Sequence, residues 1–319
     1  MGLNKIPTIS RLVAILLLLA SVLALSGCNW VVMNPSGDIA KQQAFLITIS
    51  TLLMLIVIVP VIILTILYAW KYRASNSKAE YDPDWHHSAT LETIIWTAPL
   101  AIILVLSGIT FVATHRLDPY MPIRQISADI PVPENVETLV IEVVALDWKW
   151  LFLYPEQGVA TVNEVAAPID RPIKFKITSG SVMNSFYIPA LAGQIYAMAG
   201  METKMHAVIN EKGVFDGFSA NYSGHGFSQM RFKFHGMDEK GFDAWIEKLR
   251  ISGEPLGSKT YLELEKKTTG HPVVYYGNVD ERLYHDILNQ CVKAGTTCMD
   301  ELMHRDTHGS HKTAKYQRK

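Results

Sequence analysis

Val182-Met183-Asn184-Ser185-Phe186-Tyr187-Ile188-Pro189 is a short apolar run that stops at a proline. Gly217-Phe218-Ser219-Ala220-Asn221-Tyr222-Ser223-Gly224 repeats the texture downstream between glycines. Runs of this kind, rich in aromatic and β-branched residues and bounded by Gly, Pro and Asn, read as strands. The pattern fills residues 126–234 with breaks about every ten residues, the spacing of a sandwich or barrel. Candidate strands are 138–144, 148–154, 173–178, 182–187, 194–199, 204–210, 213–220 and 230–235, with turns at Pro189, Gly193 and Gly217 and a closing helix over 239–249.

Outward from that domain, composition narrows the class. The 319 residues carry 29 Lys and Arg against 30 Asp and Glu, with no run of more than two cations, so nothing offers the basic footprint that nucleic acid requires. The hydrophobic excess lies at the front, in three unequal runs. Residues 12–25, preceded by Lys5 and Arg11, are too short to cross a bilayer and end in Leu25-Ser26-Gly27-Cys28. A basic end, a short apolar stretch and small residues before a Cys form a lipoprotein signal peptide, with Cys28 as the lipidated first residue outside the inner membrane. The alternative is an uncleaved anchor with an incidental Cys. Residues 44–70 and 93–114 each reach the ~20 apolar residues of a membrane span. The loop between them carries Lys71, Arg73 and Lys78 and belongs in the cytoplasm, which leaves everything after residue 120 outside. The organisation expected is therefore a signal peptide over 1–27, a lipidated N-terminus and transmembrane hairpin over 28–120, a β-domain over 121–250 and a C-terminal tail over 251–319.

The quoted segments resemble subunit II of the haem-copper respiratory oxidases, from the signal peptide to about residue 250. That resemblance implies a cupredoxin-like Greek-key β-barrel behind a two-helix hairpin. In the members that accept electrons from cytochrome c, a binuclear copper centre is held by a His just before Ser-(Phe/Trp)-x-x-Pro and by a later Cys-x3-Cys-x3-His-x2-Met run. Here Asn184 stands in the His place. The later run starts either at Phe218, giving Phe218, Tyr222, Gly226 and Gln229, or at Ser219, giving Ser219, Ser223, Phe227 and Met230. Neither register supplies a thiolate or an imidazole, and a mixed-valence copper pair needs bridging thiolates. The resemblance thus implies the cytochrome bo-type ubiquinol oxidase branch, with no metal on this chain and with haems and copper in a partner subunit I. Ubiquinol is then the substrate of the complex, accessory subunits III and IV are further partners, and membrane lipid surrounds the hairpin.

Two other features take their weight from the same family. Trp148, Trp150, Phe152 and Tyr154 recur at period two and should leave one face of one strand, as barrel core or, by resemblance, as an interface with the haem-bearing subunit. Glu92 opens the second span in Leu91-Glu92-Thr93-Ile94-Ile95-Trp96-Thr97-Ala98-Pro99. It is either a helix-end acid stabilised by the macrodipole or, as the similar family segment implies, the mouth of a proton path. The tail should hold two helices, near 261–266 and 279–294. Cys291 and Cys298 suit a disulfide in an oxidising compartment, and His304, His308 and His311 are either a metal-binding face or a solvated terminus. The function that these features imply is a non-catalytic, proton-access subunit of a ubiquinol oxidase. The alternatives are a copper-bearing cytochrome c oxidase subunit and a stand-alone envelope lipoprotein with a β binding domain.

Overall fold

The structure is a computed structural model that describes residues 30–305 apart from 81 and 129. Cys28, the signal peptide, His308 and His311 lie outside the described residues. Two long helices come first, α1 (Asp38–Lys71) and α2 (Ala89–Arg116), each with a proline inside, Pro60 and Pro99. Their most apolar stretches have mean hydropathy 3.0 and 2.2 and no buried residues, so by length and composition both can cross a membrane. At 34 residues α1 is about 51 Å long, well beyond a hydrocarbon core of about 30 Å. The excess docks on the outer domain: Asp38, Ala40 and Ala44 are buried, and the N–H groups of Ser36 and Gly37 donate to Ala190 O at 3.0 and 2.8 Å. Gly37 has no room for a side chain, because a Cβ there would stand 2.6 Å from Leu191 O and 2.7 Å from Val208 O.

After a small ribbon of β1 (Gln125–Ser127) and β2 (Ile130–Pro131), the chain builds a two-sheet sandwich. The larger sheet has seven strands: β10 (Thr203–Ala207), β7 (Ile173–Ser179), β3 (Leu139–Leu146), β4 (Lys149–Tyr154), β5 (Val159–Val162), β14 (Val274–Val279) and β13 (Glu254–Leu256), in that order. The smaller has five: β6 (Glu164–Pro168), β12 (Arg231–Met237), β11 (Gly213–Ser219), β8 (Asn184–Tyr187) and β9 (Ile195–Ala197). The pairs β3·β7, β12·β6 and β13·β14 are parallel and the other strand pairs antiparallel. Helix α3 (Glu239–Ser252), capped by the Asp238 carboxylate accepting from Gly241 N–H at 2.9 Å, closes one end.

Between the sheets, period two sends Leu139, Ile141, Val143, Trp150, Phe152, Tyr154 and Phe175 inward to meet Phe186 and Phe232. Phe186, from the decisive segment, stacks on Phe232 at 5.3 Å and meets Trp150 edge-on at the same distance. Gly217 is not a turn but the middle of β11. A Cβ there would sit 2.2 Å from the Phe232 ring, so the missing side chain makes space for the aromatic core.

The C-terminal segment differs most from expectation. It carries the expected short helices, α4 (Ser258–Leu264) and α5 (Leu283–Leu288), but residues 274–279 form a strand, and β14 and β13 extend the large sheet. Tyr261, Leu264, Tyr276, Leu283, Tyr284 and Ile287 lie over the outer face of β3, β4 and β5, on Val144, Leu146, Leu151, Leu153, Ala160 and Val162. The sandwich therefore does not end at residue 250. Sequence reading also missed β5 and β6, which sit in a stretch whose Gly158 and Asn163, both at positive φ, look like loop.

Candidate functional site

Asn184 opens β8 and is 1 % exposed. Its amide donates to Val182 O at 3.0 Å, and its Oδ1 accepts from Ser219 Oγ at 3.1 Å. Ser219, at the end of β11 and 3 % exposed, donates its backbone N–H to Met230 O at 3.1 Å, and Met230 is fully buried. Asn184, Ser219 and Met230 are thus brought together by β8, β11 and the start of β12. The other positions diverge. Phe218 sits on the opposite side of β11, edge-on to Tyr187 at 5.4 Å with the Arg231 guanidinium over its ring. Tyr222 is 76 % exposed and touches Phe227, and Gln229 faces solvent.

Ser223 and Gly226 belong to a different contact, with Trp148. That tryptophan is not on β4 with the other aromatics. It occupies the β3–β4 turn at φ 66°, in the left-handed region that a bulky residue seldom adopts. Its indole N–H donates to Ser223 O at 3.1 Å, and a Cβ at Gly226 would stand 2.5 Å from its ring. Trp148 thus pins the 219–230 loop. Trp150, Phe152 and Tyr154 are fully buried in the inner core, so they offer no surface to a partner, and the expectation of four aromatics on one strand face is corrected to three. The Tyr154 hydroxyl donates to Ala166 O at 2.9 Å, and burial pushes its pKa far up.

The chemistry of the set Asn184, Ser219 and Met230 is an amide, a hydroxyl and a thioether. The amide and the hydroxyl are satisfied by each other and by backbone, and the set matches poorly the soft anionic ligands of a copper pair. The remaining cysteines are elsewhere: Cys291 and Cys298 form a disulfide in the C-terminal segment, with Cα atoms 4.8 Å apart. Cys298 also lies within reach of His285 and Asp286, but its sulfur is committed to that bond. His304 is exposed in a helical stretch at 299–305.

Glu92 is in the first turn of α2, half exposed, and its carboxylate lies 2.7 Å from His87 Nδ1. His87 ends the polar loop just before the span, and its pairing with Glu92 was not read from the sequence. Lys149 was missed too. It is fully buried between the aromatic positions of β4, its ammonium donates to Lys266 O and Thr268 Oγ at 2.7 Å each, and burial lowers its pKa. A lysine at 149 reads as surface from sequence. Here it ties the C-terminal segment to the β3–β4 hairpin.

Two family models match the chain. Cytochrome c oxidase subunit II, periplasmic domain, covers residues 156–236, and the COX aromatic rich motif covers 250–295, the segment that supplies Tyr261, Tyr276 and Tyr284 to the outer core. The chain is 51 % identical over 272 residues to cytochrome bo(3) ubiquinol oxidase subunit 2 of Pseudomonas aeruginosa, covering 85 % of this chain and 80 % of that one. It is 48 % identical over 270 residues to ubiquinol oxidase subunit 2 of Acetobacter aceti, covering 85 % of each. The crystal structure of the periplasmic domain of subunit II of a cytochrome oxidase from Bradyrhizobium japonicum is similar to 37 % of this chain and 95 % of that one, at 22 % identity and a TM-score of 0.34. The two apolar helices, the cupredoxin-like sandwich and relatives close over most of their length agree: the chain belongs to subunit II of the haem-copper respiratory oxidases, in the cytochrome bo-type ubiquinol oxidase branch.

Proposed function

We propose that the chain serves a proton-pumping ubiquinol oxidase as its structural and proton-access subunit, held in the bacterial inner membrane by α1 and α2 with the sandwich on the outer face. The observation that carries the reading is the Asn184–Ser219 hydrogen bond, which fills with an amide and a hydroxyl the place where the copper-bearing members put an imidazole and a thiolate. A barrel so filled takes no electrons from a soluble donor. They come from quinol in the membrane, and the haems and copper that carry them to oxygen are in subunit I. Accessory subunits III and IV complete the complex. The outer domain, residues 121–305, should bind no stoichiometric copper and show no purple thiolate-to-copper absorption; tightly bound copper there would contradict the reading.

Glu92 and His87 form the proton-access part of the proposal. A carboxylate and an imidazole 2.7 Å apart at the inner end of a span can pass a proton between them and hand it on to subunit I. Glu92→Ala should slow quinol oxidation by the assembled complex and Glu92→Asp should slow it less. Normal turnover in both would reduce Glu92 to a helix-end acid. We further propose that the mature chain begins at Cys28 and carries lipid there, which the intact mass of the purified subunit tests.

A further inference from the structure

Where α1 meets the sandwich and α2 leaves the membrane, a cavity of about 800 Å³ opens between the hairpin and the outer domain. Arg116, Arg124, Asp38 and Asp118 line it. Through the shared walls Asp38, Gln42, Arg116 and Leu117 it continues into a groove of about 760 Å³ between the two helices, walled by Phe45, Leu46, Ile109 and Val112. Charge therefore sits directly above an apolar slot. Arg116 lies 27 residues beyond the start of α2, about 40 Å along it, which places the arginines at the outer headgroup level and the groove within the hydrocarbon.

Among the described residues none of these four charges is in an ion pair, and the Asp118 carboxylate accepts only the Tyr120 backbone N–H at 2.9 Å. Both arginine side chains are exposed. Asp38 is only 7 % exposed, and its carboxylate has a single side-chain hydrogen bond, from the neutral amide of Gln42 at 2.7 Å. A nearly buried carboxylate without a cation is costly, and the positive end of α1 offsets only part of that cost.

We propose that this composite cavity is a binding site for one outer-leaflet phospholipid of the amine-bearing, zwitterionic class. The phosphodiester lies between Arg116 and Arg124, whose planar guanidinium groups match its oxygens. The headgroup ammonium faces Asp38 and Asp118, and an acyl chain fills the groove between α1 and α2. The upper cavity is lined by two arginines and two aspartates, and the further cation in the groove wall, Lys41, lies 3.8 Å from the Glu211 carboxylate, a balance that suits a zwitterion better than a lipid of net negative charge. A helix of another subunit would cover the groove but bring no phosphate to the arginines.

The test uses the assembled oxidase, purified in mild detergent and examined by native mass spectrometry. The unmodified complex should retain a single phospholipid with an ethanolamine head, and R116Q/R124Q should retain it roughly tenfold less or worse. Equal retention by the double variant, or a retained lipid with a glycerol head, would overturn the proposal. A photo-reactive residue at Val112, with both arginines intact, gives an independent reading in whole membranes: cross-linking to phospholipid supports the site, and cross-linking to another protein chain contradicts it.

Discussion

The two sheets of the sandwich are built on different rules. In β12, Arg231 and Lys233 face water while Phe232 and Phe234 face the core, the alternation of a sheet with one wet side. In β4, Lys-Trp-Leu-Phe-Leu-Tyr is buried at every position, and β3 is nearly so. The difference comes from the C-terminal segment, which covers the outer face of β3, β4 and β5 and leaves that of β11 and β12 open. A strand that is apolar on both faces announces a second covering layer, even when the segment that supplies it looks like a tail.

The strongest way to break this comparison is to remove the cover. Ending the chain after residue 253 uncovers Val144, Leu146, Leu151 and Leu153. At about 1.5–3 kcal/mol per large apolar side chain the loss rivals the ~5–15 kcal/mol of a whole domain. The truncated outer domain should show no cooperative thermal transition, whereas the domain ending at residue 305 should melt cooperatively. A truncated domain that melts like the longer one would make the C-terminal segment an appendage after all.

Point substitutions sharpen it. Trp150→Ala on the inner face should cost ~3–5 kcal/mol and Leu151→Ala on the covered outer face ~2–5 kcal/mol in urea unfolding. Val214→Ala, on the wet side of β11 and 61 % exposed, should stay within about 0.5 kcal/mol. A negligible loss for Leu151→Ala would mean the outer core is not packed. Trp150→Phe should cost less than half of Trp150→Ala, because the indole N–H is buried without a partner and its removal strands no acceptor.

The smallest effect concerns a charged pair on the outer face of the large sheet, Glu142 and Lys176. Burial raises the Glu142 pKa above its ordinary 4.5, more than the pull of Lys176 at 3.3 Å lowers it. Folded chains then hold this proton where unfolded chains have lost it. The contribution of Glu142 is fully present below pH 4.5 and fades as pH rises through the folded-state value. Glu142→Gln should flatten stability against pH in that window. An unchanged slope would show that Lys176 compensates the burial.

Much of this was legible from residues alone. Both spans, most strands, the closing helix and the Asn184 position follow from run length, period and spacing. β5 and β6 did not, because a glycine and an asparagine at positive φ disguise two short buried strands. Trp148 looked like its neighbours because period two ignores the turn that turns it away from the strand. Lys149 and the aromatics of 261–284 were opaque for a related reason: their partners are more than a hundred residues away, and only the folded register brings them together. Of the two possible site registers, the one beginning at Ser219 is favoured in the sequence because it puts Met230 at the methionine position, and the β8–β11 pairing then brings Ser219 to Asn184.

The central claim is that the sandwich has exchanged an electron-accepting site for a hydrogen-bonded pair in an oxidase fed from the membrane. Oxygen uptake by the purified complex, with ubiquinol or reduced cytochrome c as the donor, tests it most directly. The account predicts rapid uptake with ubiquinol and none above background with cytochrome c. Turnover with cytochrome c at a rate comparable to that with quinol would contradict it.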